Sequence, residues 1–203
     1  MVEGAVNSIE LEVIEALRDA TRSRHAQLGA SPAMLRLFAV DFTIPEYQTH
    51  LGRLLGLLEP LECAVARAAG CPDSIRSLGR SHALREDLRI MGATESDIDA
   101  LEQCSFLPSI DPAGLYGYVY VVLGSMKGGK IIVKRLRSIL GPAASFHFYG
   151  DGNGDSDALW ASFCSKLEAQ GRENVEAICA TAVAIFDAYA VWLSGQIGQP
   201  SNG

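Results

Sequence analysis

The chain has 203 residues, with 17 lysines and arginines against 24 aspartates and glutamates. Its net charge of −7 excludes the positive field that bulk nucleic-acid or anionic-membrane binding needs. With 48% hydrophobic and 20% charged residues it has the material for a real core, which excludes intrinsic disorder, and its length suits one domain over residues 1–203.

In chain order, the N-terminal residues MVEGAVNSIELEVIE lack the basic, then apolar, then small-residue order of a secretion signal. A first helix is expected over residues 8–28, with Ser8 as cap, Glu10 and Glu12 in the first turn, and Gly29 closing it. A short helix follows Pro32. Residues 45–69 read as a long amphipathic helix bent at Pro60, which cannot donate to the turn before it. Helical pieces are expected over 80–90 and 95–103, ending before Pro108. The stretch 112–140 is long and apolar, with glycines clustered at Gly124, Gly128 and Gly129. A loop containing Gly150, Gly152 and Gly154 precedes a helix over 157–170, and Gly171 starts or interrupts a last helix reaching about residue 194. Only YVYVVL, residues 118–123, has strand propensity, and one strand makes no sheet, so the expected fold class is all-α. The packed part is expected over 8–195, with a polar tail at 196–203.

Five scattered cysteines, Cys63, Cys71, Cys104, Cys164 and Cys179, form no CxxC pair. They suit neither a disulfide framework nor a zinc knuckle, and fit a reducing compartment. No stretch approaches about 18 uncharged apolar residues, so no membrane span is expected and a cytoplasmic location is.

Two segments carry chemistry. Residues 124–130, GSMKGGK, satisfy G-x-x-x-x-G-K after a strand-like run, which suggests a phosphate loop. Ile131 stands where Ser or Thr should hold magnesium, and no series of βα units precedes it. The other reading keeps the segment helical. Three glycines inside a helix cost about 1 kcal/mol each relative to alanine. Either close helix packing or a flat ligand lying on bare backbone would offset that.

The second segment is the first helix. Leu11, Ile14, Arg18, Arg22 and His25 fall within about one 80° stripe. Arginines on a core-facing stripe need partners. A ligand apolar at one end and carboxylated at the other would supply them, with His25 on a metal. The plainer alternative places Arg18 and Arg22 at the stripe edge, paired with Asp19 or Glu15.

LRDATRSRHAQL (residues 17–28) resembles the first-helix signature of the heme oxygenase family, and LGSMKGGKII (123–132) resembles its glycine-rich distal helix. FTIPEYQTHLGRLLGLLEPLE (42–62) is similar to the second long helix of bacterial members associated with bacteriophytochromes. The resemblance implies a helical bundle with heme b between the first helix and a kinked distal helix. It further implies oxidation of heme by O2 and reducing equivalents to biliverdin, carbon monoxide and ferrous iron, with an external electron donor such as a ferredoxin or reductase. By the same resemblance His25 is the axial iron ligand and Gly124 and Gly128 admit the distal helix to the iron. Gly129 supports its bend, and Arg18 and Arg22 meet the propionates. Ser125 stands where many members carry an Asp that organises proton-delivering water. Residues 160–163, WASF, lack the family's propionate Arg, leaving Tyr149 as a candidate for that end. A heme- or tetrapyrrole-binding protein with impaired catalysis is the alternative. His147 is expected to be exposed, and His50 and His82 to be structural or solvated. Lys127, Lys130, Lys134, Arg135 and Arg137 form either a solvated helix face or a docking patch for the acidic donor.

Overall fold

A computed structural model describes residues 12–150 and 156–195, so Ser8, Glu10, Leu11, Gly152, Gly154 and the polar tail lie outside the described part. The described residues are helical, without strands. The helices are α1 (Glu12–Gly29), α2 (Pro32–Arg36), α3 (Ile44–Arg67), α4 (Asp73–Arg76) and α5 (Ser81–Ile90), then α6 (Glu95–Asp99), α7 (Leu115–Leu140), α8 (Ser156–Gln170) and α9 (Val175–Leu193).

The starts are written in local chemistry. Thr43 and Glu46 form a capping box at α3, with Pro45 in the first turn where no amide is needed. Ser31 caps α2, and Asp111 caps the 3-10 turn Pro112–Gly114 that leads into α7. In α1, the amides of Val13 and Ile14 donate to the Glu168 carboxylate of α8, a charge suited to that end of the helix dipole.

One expected helix boundary is corrected. The helix after Thr94 ends at Asp99, not near residue 103. There the chain turns to lie on α3, and the Cys104 amide donates to the Gly56 carbonyl at 2.8 Å. A Cβ on Gly56 would sit 2.1 Å from the Glu102 carbonyl oxygen, so the missing side chain admits this crossing. The helix α3 runs through Pro60 to Arg67, close to the expected range. The strand-like YVYVVL lies within α7, where Tyr118, Val119, Val121, Val122 and Leu123 are buried, so tertiary packing overrides propensity.

The core joins α1, α3, α7 and α9. By length and composition the segment Arg172–Leu193, ending in α9, is apolar enough to cross a membrane. In the fold α9 packs on α1 and α7, burying Ile178, Ala182, Ile185 and Phe186, and on α3, where Trp192 is buried beside Leu57 and Cys104. Its crossing with α7 is close because Gly117 has no side chain: a Cβ there would lie 2.3 Å from the Ile178 carbonyl oxygen and 2.9 Å from the Ala182 nitrogen. Gly117→Ala must therefore push two backbones apart. The expected loss is about 2–3 kcal/mol in urea unfolding, and an unchanged midpoint would contradict the crossing.

Candidate active site

The helices α1, α7 and α9, with the 145–149 segment, enclose a cavity of about 430 Å³, within the range of small-molecule sites. His25, in the last turns of α1, lines one side, its ring edge-on to Phe186 of α9 at 5.9 Å. Its imidazole has no hydrogen-bond or ion-pair partner among the described residues. Gly124, Ser125 and Gly128 of α7 line the same cavity. Met34, Phe38, Leu54, Tyr120, Ile132 and Trp160 help make the remaining wall largely apolar.

The α7 glycines divide by what a side chain would meet. At Gly124 and Gly128 a Cβ would find nothing within 4 Å, so bare backbone borders open space. At Gly129 it would sit 2.9 Å from the Tyr149 carbonyl oxygen. The glycines of the segment thus serve different positions: open space at Gly124 and Gly128, close packing at Gly129. The phosphate-loop reading fails because the segment is mid-helix.

Arg18 and Arg22 lie off the cavity's lining. Both are exposed, Arg22 pairs with Asp19 at 2.5 Å, and neither borders the cavity. The buried face of α1 is Val13, Ile14, Leu17 and Thr21. Arg18 and Arg22 each follow one of those residues and are turned about 100° away from it. Arg24 bonds Asp187 and ties α1 to α9.

The cation on the cavity wall is instead Arg80, which is 6% exposed. It donates to the carbonyls of His147 (3.0 Å) and Phe148 (2.7 Å) and lies over the Phe148 ring. Burial lowers its pKa, with Glu62 and Asp87 opposing. Asp87, on α5, the helix that Arg80 precedes, is fully buried. It accepts bonds from Ser145 Oγ (2.6 Å) and from the amides of His147 (2.7 Å) and Phe148 (2.9 Å). His147, expected to be exposed, is half-buried with Nδ1 at 3.1 Å from Asp87. Together Arg80 and Asp87 hold both polarities of one loop's backbone, and that loop carries Tyr149. The sequence signal was an Asp at a core position of the amphipathic α5, beside Ala83, Leu84 and Leu88.

Tyr149 lines the cavity with its hydroxyl 2.6 Å from His50 Nε2, the two rings stacked at 6.0 Å. The expectation that His50 lacks a chemical partner is therefore corrected; His82 is exposed. Burial pushes the phenol upward and the imidazole down to about 4, so both are neutral at neutral pH. Ser125 Oγ donates to its own helix at Val122 O (2.7 Å). Of the basic cluster, Lys127 and Lys130 reach Asp157, Arg135 bonds the Phe38 carbonyl, and Arg137 lies over Phe146. The five cysteines are free, and burial raises the thiols of Cys104, Cys164 and Cys179, so these three do not resemble activated nucleophiles.

A family model described as heme oxygenase matches residues 11–195. A curated relative, a heme oxygenase of Xanthomonas campestris pv. campestris (strain 8004), is 33% identical over 114 residues, covering 56% of this chain. The chain spans 62% of that relative's length in the match.

Two outcomes follow from the geometry. Gly128→Ala gains helix propensity against open space, so it should stabilise the fold by up to about 1 kcal/mol while narrowing the cavity. Chemical denaturation that shows a loss would contradict the open wall. For His50, the unfolded chain takes up a proton from about pH 6.5 downward, before the folded chain does near 4. Stability should fall on acidification across that window by up to about 3 kcal/mol from this group. His50→Gln should flatten that part of the profile when urea midpoints are compared at pH 7 and 4.5.

Proposed function

The chain belongs to the heme oxygenase family, and on that premise we propose that it oxidatively cleaves heme with O2 and reducing equivalents to biliverdin, carbon monoxide and ferrous iron. The supporting observation is that His25 and the side-chain-free positions Gly124 and Gly128 line one apolar cavity.

The residues fit the substrate. Among the described residues no cluster of three His, Cys, Asp or Glu could hold a free metal ion, but an iron porphyrin needs only one axial ligand from the protein. His25 Nε2 or Nδ1 is open to take that role. Heme, as substrate and cofactor at once, supplies the iron and the ring at which oxygen is activated. The bare backbone at Gly124 and Gly128 leaves room for a diatomic molecule beside largely apolar walls. Ser125 offers an acceptor oxygen, since its proton is engaged by Val122. Electrons must come from an external donor such as a ferredoxin or reductase. Lys127, Lys130, Lys134 and Arg137 of the basic cluster are exposed, which supports a docking face for such a donor. The likeness of residues 42–62 to bacteriophytochrome-associated members supports delivery of biliverdin to such a photoreceptor.

A binding-only protein on the same fold is the second reading, favoured by a hydroxyl rather than a carboxylate at Ser125. Purified protein mixed with hemin and given ascorbate or a reductase in air separates the two. Loss of the Soret band with growth of a red biliverdin band supports cleavage; tight one-to-one binding without turnover supports the second reading. His25→Ala should lose the native axial ligation and most turnover, and an unaltered heme spectrum in that variant would remove His25 from its role.

A further inference from the structure

The two sides of the cavity are held chiefly through other helices. Both α1 and α7 pack on α8 and α9 far more than on one another. Among the described residues, the hydrogen bond that joins α1 to α7 directly is the one between Thr21 and Tyr120, at 3.2 Å. Its place is specific. Thr21 lies four residues before His25, and Tyr120 four residues before Gly124. Each is therefore one turn, about 6 Å of helix, from the residue that its own helix brings to the cavity.

Packing alone does not call for this bond. Thr21 is 2% exposed and gives its hydroxyl proton to the Leu17 carbonyl at 2.7 Å, so it is satisfied within its own helix. A valine would have the same shape. The proton in the contact with Tyr120 is therefore the phenol's, donated from α7 to Thr21 Oγ. The Trp160 ring of α8 stands 5.9 Å from the Tyr120 ring and backs it. Holding a tyrosine in one orientation costs rotamer freedom, and what it secures is the distance from α1 to α7.

We propose that Thr21 and Tyr120 are positioning residues that set the width of the cavity: their bond spaces the α1 backbone, and with it His25, from the Gly124–Gly128 stretch of α7. This rests on the heme-cleaving reading, in which His25 and the bare α7 backbone face one flat ring from opposite sides. The contacts with α9 place each helix separately, since Phe186 meets the His25 ring and Gly117 seats α7 on the Ile178 carbonyl. The Thr21–Tyr120 bond refers one helix to the other, beside the space the ring must occupy. Too wide a gap leaves His25 short of an axial position, and too narrow a gap shuts the ring out.

The test has two arms. In the heme-free protein, the Cζ carbon resonance of Tyr120, which reports whether its phenol donates a hydrogen bond, should move in Thr21→Val and stay in place in Thr21→Ser. A resonance indifferent to Thr21→Val would overturn the proposal. In the hemin-loaded protein, Thr21→Val and Tyr120→Phe should each speed hemin release to a scavenging apoprotein by about three- to tenfold, the worth of one hydrogen bond. The double variant should release hemin no faster than either single one, and Thr21→Ser should keep the unsubstituted rate. The iron–imidazole stretching band of the ferrous form should broaden in both single variants, a change that lower fold stability alone does not produce. An unaltered band or release rate in either single variant, or effects that add in the double variant, would overturn this role alone. Failure of the unsubstituted protein to bind hemin would overturn the heme reading and this role with it.

Discussion

Helix α7 is held in place by what it lacks. At its entry, a Cβ on Gly114 would collide with the Thr181 side chain, and one on Gly117 with the Ile178 carbonyl, so α9 can approach only because those atoms are missing. Near its middle, Gly129 admits the backbone of Tyr149 in the same way. Between these contacts Gly124 and Gly128 face empty space. Close approach on either side thus fixes a stretch of helix that leaves room at Gly124 and Gly128, while Tyr120, Met126 and Ile132 of the same helix line the cavity. Each interior glycine weakens the helix by about 1 kcal/mol, and burial against α9, α8 and the 145–149 segment offsets that cost.

The 145–149 segment depends in turn on two buried charges of opposite sign that act on one stretch of backbone. Asp87 gathers amides and Arg80 gathers carbonyls of His147 and Phe148. Each charge is held by hydrogen bonds from the loop, so the loop cannot leave without exposing both to an apolar core. The same arrangement sets Arg80 at the cavity, a placement that no pattern in the first helix could announce.

Much of the fold was legible because the helix starts obey local rules: Thr43 with Glu46, Ser31 before Pro32, Asp111 before Pro112. The candidate site's residues were legible for the same reason, since the glycine spacing in α7 and the histidine in α1 are local patterns, and the fold brings them to one cavity. What could not be read depends on long-range contact. The partner of His50 is 99 residues away, and the loop that Asp87 binds is about 60 residues away. Arg18 and Arg22 were misplaced by a smaller error. The apolar stripe of α1 is centred on Val13, Leu17 and Thr21, and rotating it by one residue turns both arginines outward. Periodicity gave a face but not its centre, because Ala16, Ala20 and Ala26 fit either side.

A wall made of backbone also restricts how the molecule can change. At Gly124 and Gly128 there is no atom left to remove, so every substitution can only reduce the room available. Descendants of this chain can drift toward tighter, more selective cavities through these two positions. A roomier one would have to be won from the opposite lining, at Phe186, Leu54 or Met34, where a smaller residue is still possible.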